Sequence, residues 1–289
     1  MESNSTTQRI NHHLTWSFAG PWYWEFQQLG EVPGDLIGKI NFLAKYGFDC
    51  MPLSFSTLDE MSNFQRDEFY NLTKNLGITF HPHAHLDFLT ATTDEVKASA
   101  EKWLAGLEKH RKFFGTKITT TGAGAGHRFD RKMPLEDKLT RLSKTMAITA
   151  DACARAGFPL AVENHGDYYC SDFATLCEMT PNLHIFLDTG NTYLIGERPI
   201  EAFEAAAPYT IGTHFKDHFV KPNPNDLRFE IDGAALGSGD VELAKCYDIL
   251  MNKSPNPRKL IMEIEMVAPN GTDPIVCLED SIKFINSLK

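Results

Sequence analysis

The chain has 289 residues, a formal net charge of -10 at pH 7 and six cysteines. Its length suits one parallel α/β barrel, which commonly runs to about 250 residues, and allows a core that needs no disulfide or structural metal. The acidic charge opposes binding to nucleic acid or an anionic membrane, and no apolar run approaches the ~20 residues of a membrane span. We therefore expect a cytoplasmic protein with reduced, structural thiols that acts on a small molecule.

Short apolar runs alternate with longer amphipathic stretches along the whole chain. The strand-like runs are "LTWSF", "FDCMPLSF", "ITFHPHAH", "KITTTGAG", "PLAVEN", "HIFLDTG", "TIGTHFKD" and "LIMEIEM". The helix-like stretches fall near residues 34–46, 65–76, 93–113, 134–156, 171–179, 199–207, 240–251 and 274–287. This alternation, without repeats or a linker, predicts an α/β protein with a (β/α)8 TIM barrel as a single domain over residues 1–289. A doubly wound open sheet is the alternative.

The third strand-like run contains the segment "HPHAH". If the strand continues through this segment, its period-two spacing turns His81, His83 and His85 to the same side, towards the mouth of the barrel. We predict that His83 or His85 binds substrate. Structural hydrogen bonding and metal binding are the alternatives for these imidazoles.

A glycine-rich stretch, "TTTGAGAG", follows the fourth strand-like run. It looks like a phosphate cradle, but Gly122, Gly124 and Gly126 do not fit the spacing G-x-G-x-x-G and no Walker lysine follows them. The glycines therefore favour a loop with flexible geometry. His127 and Arg128 come directly after the loop and are candidates for contact with an anionic or hydroxylated substrate.

Each of the last four strand-like runs reaches a polar side chain near its carboxyl end. In a (β/α)8 barrel these strand ends and the loops that follow them form the active-site face. Neighbouring strands therefore bring three carboxylates and one imidazole around one point, a donor set that suits Mn²⁺, Mg²⁺, Co²⁺ or Zn²⁺. The residues are Glu163, Asp188, His214 and Glu263.

Five segments in this order, "AVENHGD", "FLDTGNT", "THFKDH", "LGSGDVEL" and "IMEIE", resemble the sugar phosphate isomerase/epimerase family, which has the xylose isomerase-like TIM barrel. The resemblance covers nearly the whole chain. It implies a divalent metal held by Glu163, Asp188, His214 and Glu263. Glu265 competes with Glu263 because the two share one face of a strand, but Glu263 better matches the family's pattern.

The resemblance also implies chemistry on a keto-sugar or related polyol, in carbohydrate metabolism. In ketose epimerases of the family the two glutamate ligands are thought to exchange protons with opposite faces of the substrate, which implies catalytic roles for Glu163 and Glu263 and an enediolate intermediate. Lys216 could supply positive charge or act as an acid, with Asp217 orienting it. The alternative for Lys216 is a structural ion pair with a strand-end carboxylate.

Two positions depart from the ketose epimerase pattern. Those enzymes usually carry a histidine three residues after the strand-six aspartate and an arginine six residues after the strand-seven histidine, and both hold the sugar. This chain has Asn191 and Val220 there. Asn191 and His165 instead resemble inosose dehydratase-like and keto-sugar-processing relatives, in which an enolate expels a β-hydroxyl. The alternative function is therefore a metal-dependent lyase or dehydratase on the same barrel, either inosose dehydratase-like or eliminating a keto-glycoside, with Asn191 and His165 as substrate-binding candidates.

Two further function classes fit the sequence less well. An apurinic-site endonuclease on the same fold needs extra histidines, including one at position 191 and a D-x-H motif after strand seven, and the chain has neither. A non-catalytic sugar-binding subunit remains open. The Pro/Gly-rich segment at 220–240 is expected to be a loop over the pocket or at a contact in a homo-oligomer.

Overall fold

Ten β-strands occur in the part of the chain that the structure describes. This computed structural model describes residues 8–19, 35–84, 86–265, 268–269 and 271–289. The strands are β1 (Thr15–Phe18), β2 (Cys50–Pro52), β3 (Thr79–His81), β4 (Thr119–Thr121), β5 (Leu160–Glu163), β6 (Leu183–Asp188), β7 (Thr210–Phe215), β8 (Asp217–Pro222), β9 (Phe229–Ala234) and β10 (Ile261–Ile264).

Eight of these strands form one parallel sheet in the order β3, β2, β1, β10, β7, β6, β5, β4. The first and last strands of the sheet in sequence, β1 and β10, pair with each other from Thr15 to Phe18. The two ends of this row meet through a parallel bridge between His83 and Thr120, where the Ala84 N–H also donates to the Thr120 carbonyl at 2.8 Å. The sheet is therefore a nearly closed barrel, and the predicted (β/α)8 fold is confirmed.

Helices connect the strands and are longest around the middle of the chain. Their ends follow local sequence signals: Thr92 and Glu95 form a capping box at one start, and Gly157 ends another helix with φ 78°. The helices are α1 (Leu36–Tyr46), α2 (Phe55–Asp59), α3 (Asn63–Leu76), α4 (Thr93–His110), α5 (Leu135–Ala156), α6 (Cys170–Met179), α7 (Asn191–Leu194), α8 (Pro199–Ala206), α9 (Leu243–Lys253) and α10 (Pro274–Ser287).

Two apolar clusters explain which way each strand residue points. The larger cluster joins strand residues such as Val162 to helix residues such as Met146. The smaller one contains Ala161, Phe186 and Ile261. Each of these three lies two residues before a carboxylate on its own strand, so the alternation of side chains places an apolar layer inside the barrel directly below a charged one.

The segment after β7 is not the predicted loop. Strands β8 and β9 pair antiparallel from Asp217 opposite Ala234 to Pro222 opposite Phe229. The Asp217 carboxylate then anchors the return of the chain, because it accepts the N–H groups of Gly237 at 2.9 Å and Gly239 at 3.0 Å. Asp217 therefore holds the hairpin rather than orienting Lys216.

All six cysteines are buried and free, as the sequence predicts. None of the helices in the described ranges has the length and apolar character needed to cross a membrane. The extent of the domain over 1–289 stays a prediction.

Candidate active site

Four side chains at the carboxyl ends of adjacent strands converge on one point. They are Glu163 from β5, Asp188 from β6, His214 from β7 and Glu265, which directly follows β10, and their ligand atoms all lie within 4.8 Å of one another. The imidazole is central: His214 Nδ1 lies 3.0 Å from Glu163 Oε1, 3.7 Å from Asp188 Oδ2 and 3.6 Å from Glu265 Oε2. We call these four residues the strand-end cluster.

Lys216 neutralises part of the strand-end cluster. Its Nζ lies 2.8 Å from Asp188 Oδ2 and 2.5 Å from Glu265 Oε2. Burial alone would lower the pKa of this ammonium, but the two carboxylates outweigh that effect and raise its pKa above the ordinary value. The lysine is therefore charged and paired, which matches the structural alternative for this residue as well as a role in supplying positive charge.

Glu263 lies on the opposite side of the same imidazole. Its Oε1 is 2.9 Å from His214 Nε2, and its Oε2 accepts from Ser17 and is 2.9 Å from His81 Nε2. Glu263 and His81 are each 1% exposed. The structure thus groups Glu265, rather than Glu263, with Glu163, Asp188 and His214. Glu263 as a ligand stays a prediction, and Ser17 and His81 are partners that sequence reasoning did not assign to it.

Opposite charges inside and beside the cluster shift the pKa values of its ionisable groups. Burial lowers the pKa of His214, but Glu163 and Glu265 outweigh it and hold that pKa well above the ordinary value. Burial raises the pKa of Glu163, but His214 outweighs it and the pKa is lowered. Burial also raises the pKa of Glu263, but opposing charges, of which His81 is the strongest, outweigh burial and lower that pKa. Without a metal, a proton on His214 and the charge of Lys216 stabilise the carboxylates.

Asparagine side chains fix the backbone under the cluster. The Asn164 amide donates to the Asp188 carbonyl at 2.9 Å and accepts the Asp188 N–H at 2.7 Å. Asn191 donates to the Asn164 carbonyl at 3.0 Å, and its Oδ1 lies 3.4 Å from Lys216 Nζ. Asn191 is 3% exposed. It therefore braces β5 against β6, and its predicted contact with substrate stays a prediction.

Two cavities adjoin the strand-end cluster and share Glu163 and His83. One cavity, which is lined by His214 and which we call the inner cavity, has a volume of about 390 Å³. The other, which is lined by His165 and which we call the outer cavity, has a volume of about 720 Å³. Both are within the size range of small-molecule sites. The inner cavity is also lined by Ala19, Pro52, Leu53, Ser54, Thr57, His81, Thr120, His214, Glu263 and Glu265. The outer cavity is also lined by Ala84, Leu86, Asp87, Gly122, Ala123, Gly124, Gly126, His165 and Asp167.

The predicted substrate-binding histidines fall in different places. His83 lines both cavities and its Nδ1 is 2.8 Å from Thr120 Oγ1, while His165 lines the outer cavity. His127 braces a loop: its Nε2 donates to the Gly166 carbonyl at 3.0 Å, and its Nδ1 accepts from the Phe129 N–H at 3.1 Å. Substrate contact by His127 thus gains no support from its hydrogen bonds and stays a prediction, and His85 lies outside the described residues.

Comparison with known proteins gives one family match. A family model described as a xylose isomerase-like TIM barrel matches residues 40–288, which is most of the chain. Among curated proteins, no sequence matches the chain.

Solved structures share the fold over nearly their full length. A D-psicose 3-epimerase from Clostridium cellulolyticum H10, solved with D-tagatose, has 15% identity and a TM-score of 0.67, with 95% of this chain and 99% of that chain covered. The probable 3-DHS dehydratase AsbF from Bacillus anthracis has 16% identity and a TM-score of 0.69, covering 95% and 100%. A xylose isomerase-like TIM barrel protein from Mycobacterium smegmatis in complex with magnesium has 14% identity and a TM-score of 0.64, covering 100% and 98%.

Proposed function

The chain belongs to the xylose isomerase-like TIM barrel family, and from this premise we propose that it is a divalent-metal-dependent isomerase or epimerase of a keto-sugar or related polyol. The observation that carries the proposal is the strand-end cluster, whose four ligand atoms lie within 4.8 Å of one another beside the inner cavity. Six free, buried cysteines support a reducing compartment such as the cytoplasm.

The donor set of the cluster fits a divalent cation. Three carboxylates and one imidazole suit Mn²⁺, Mg²⁺, Co²⁺ or Zn²⁺, and manganese is the ion we would load first. Glu163, Asp188, His214 and Glu265 would hold the ion, and Glu263 would fix the ring of His214 through Nε2. When bound, a divalent ion supplies Lewis-acid stabilisation for negative charge that builds on a substrate oxygen.

Glu163 is the residue best placed to move a carbon-bound proton. It lines both cavities, so a substrate that spans them passes its carboxylate. Glu263 and Glu265 line the inner cavity from the β10 side and are candidates for the opposite face of the substrate. A carboxylate on each side allows one to remove a proton and the other to return it, which is the requirement for epimerisation.

A lyase that expels a β-hydroxyl is the second candidate, and the imidazoles of the outer cavity favour it. His83 and His165 line that cavity beside Glu163. An imidazole there is a suitable acid for a leaving hydroxyl once Glu163 has removed the neighbouring proton. The resemblance in fold to both a 3-epimerase and a dehydratase is compatible with either outcome.

Hydrogen exchange in deuterated water tests the proposal and separates the two candidates. The metal-loaded protein is incubated with ketopentoses, ketohexoses and inosose-type ketones, and the products are followed by NMR and mass spectrometry. We expect deuterium at the carbon next to the carbonyl and a product of otherwise unchanged mass. A product lighter by one water would identify the lyase. No exchange on any ketone, with metal bound, would contradict proton-transfer chemistry, and Glu163→Gln provides the inactive control.

A further inference from the structure

Charge is unevenly distributed on the walls of the two cavities. Acidic residues line them at five positions: Asp87, Glu163, Asp167, Glu263 and Glu265. Among the described residues that line either cavity, none is a lysine or arginine. The stretches at 1–7, 20–34, 85, 266–267 and 270 contain no lysine or arginine in their sequence either. A negatively charged substrate group would therefore meet carboxylates rather than cations.

The carboxylate of Asp87 lies against the glycine-rich loop of the outer cavity. Asp87 Oδ1 accepts the N–H groups of Leu89 at 3.0 Å and Thr90 at 2.9 Å. Burial raises the pKa of Asp87, but hydrogen bonds from Thr90 first, and then from the backbone of Leu89 and Ala125, outweigh it and lower the pKa. A Cβ at Gly124 would lie only 3.1 Å from Asp87 Oδ1. The glycine-rich loop therefore packs against a carboxylate, which would repel a phosphate at this loop.

The loop after β5, which also lines the outer cavity, repeats this arrangement. Asp167 Oδ1 accepts the N–H of His165 at 3.1 Å and that of Tyr168 at 2.9 Å. These two backbone donors are therefore turned towards a side chain of the protein. Both loops that border the outer cavity satisfy amide groups with carboxylates, and backbone amides are what a loop without cations would need to bind an anion.

Two cations that adjoin the lining residues, Lys216 by contact with Glu265 and Arg128 by following Gly126 in the chain, are committed to other partners. Lys216 Nζ contacts Asp188 and Glu265, and Arg128 is paired with Asp172 and stacks over the Tyr169 ring. A bound divalent ion and Lys216 together would balance the three carboxylates of the strand-end cluster, with His214 neutral. The carboxylates of Glu263, Asp87 and Asp167 are not included in this sum of charges. Loading the metal therefore leaves no surplus of positive charge for an anionic substrate.

We propose that this site selects an uncharged, hydroxyl-rich keto substrate and discriminates against the phosphate esters of the same sugars. The inference rests on the proposed function, because it takes the two cavities as the substrate site. Hydroxyl groups can donate to the carboxylates and accept from His83 and His165, whereas a phosphate dianion cannot donate to a carboxylate. Like charges placed together across a binding surface are unfavourable and give specificity.

Calorimetric binding to the metal-loaded protein tests the proposal without measuring turnover. Uncharged ketopentoses, ketohexoses and inosose-type ketones are each compared with their phosphate esters at constant free metal. We expect at least one uncharged ketone to bind about tenfold or more tightly than its ester, and inorganic phosphate not to compete with it. The ratio should decrease as salt increases, because screening shortens the Debye length from about 30 Å at 0.01 M to about 8 Å at 0.15 M.

Asp167→Asn provides the matched variant, because the amide oxygen still accepts the loop N–H groups while one negative charge is removed. The ratio between ketone and ester should fall severalfold because the affinity for the ester rises relative to that for the ketone, and the metal content should stay unchanged. Asp94→Asn removes the same charge from an ion pair at the solvent surface, where the aspartate side chain is 95% exposed, and should leave the ratio as it is.

Phosphate esters that bind as tightly as the uncharged ketones, or more tightly, would overturn this inference and leave the proposed function standing. If neither kind of ketone binds to protein with demonstrated metal, both the inference and the proposed function fail.

Discussion

The two halves of the barrel end their strands in different ways. Three strands of the first half, β1, β2 and β4, end in the uncharged residues Phe18, Pro52 and Thr121. In the second half, β5, β6, β7 and β10 place Glu163, Asp188, His214 and Glu263 at or near their ends. Pro52, Leu53 and Thr57 from the first half form part of the wall of the inner cavity, and the second half supplies its carboxylates.

This difference shows that one half of the barrel can shape the cavity while the other half supplies the strand-end charges. Buried carboxylates that face one another need a counter-charge, because burial and mutual repulsion both oppose their ionisation. In the metal-free protein the counter-charges are Lys216 and a proton on His214. Among the described residues of the first half, no strand ends in a carboxylate, so substitutions there should change the cavity wall, whereas substitutions in the second half should change metal binding.

The largest effect is expected from Asp188→Asn. Asp188 is fully buried and belongs to the strand-end cluster, so the neutral amide removes one metal ligand and leaves Lys216 without half of its charge pairing. We predict loss of bound metal by elemental analysis and a fall in turnover of about 10³-fold or more. Thr57→Ala in the wall from the first half should keep its metal. Equal metal in Asp188→Asn and wild type would contradict the assignment.

Lys216→Met is expected to destabilise the metal-free protein by about 3 kcal/mol, since it leaves two buried carboxylates without their partner. The unbranched side chain of methionine keeps most of the packing. Saturating metal should recover much of the loss, because binding to the folded state stabilises it and no ammonium competes for Asp188 and Glu265. Chemical denaturation without and with metal measures the loss of stability and its recovery. An equal loss in the two conditions would show that Lys216 does not share the metal's carboxylates.

The comparison of Glu265→Gln with Glu263→Gln assigns the ligand contributed by the last strand. Glu265 lies within the strand-end cluster, and Glu263 instead contacts His214 Nε2. We predict that Glu265→Gln weakens metal affinity by about 100-fold and Glu263→Gln by about tenfold, the lower part of the range for partners that orient a ligand. Titration with a metal indicator gives both values. The reverse order would transfer the ligand role to Glu263, as the family pattern implies.

The sequence was sufficient for the barrel because each strand combines an apolar run with a turn or cap signal. It was insufficient for the hairpin at 217–234. Proline and glycine in that segment indicate a loop. The cross-strand pairing, and the hydrogen bonds from Gly237 and Gly239 to Asp217, join residues up to about 20 positions apart, and local composition does not predict such contacts.

The residues of the site also fall into two groups: those that the local sequence pattern predicts and those whose roles depend on tertiary contacts. Glu163, Asp188 and His214 were predictable because each follows an apolar strand on the inward face. Period-two spacing could not separate Glu263 from Glu265, since both occupy that face. Their different roles depend on His81, which comes from β3 on the other side of the barrel and is buried against Glu263. Asp87 and Asp167 were missed because loop residues carry no periodic signal.

The smallest effect is expected from Glu197→Gln, which tests a half-buried carboxylate in the second half. Glu197 Oε1 accepts the Cys170 N–H at 2.9 Å, and its buried Oε2 has no hydrogen-bond partner within the described chain. Burial raises the pKa of this carboxyl to about 7. The folded state therefore binds more protons than the unfolded state between the ordinary pKa and 7, so stability falls as the pH rises through that window. Because the side chain is partly exposed, we expect Glu197→Gln to increase the free energy of unfolding by only about 1 kcal/mol at pH 8 and by little at pH 5.

Denaturant unfolding at the two pH values measures this change in the free energy of unfolding. The control is Glu201→Gln, at an exposed glutamate paired with Arg198, which should show no such gain. A gain of equal size at both pH values would mean that packing, rather than the buried charge, limits stability at this position.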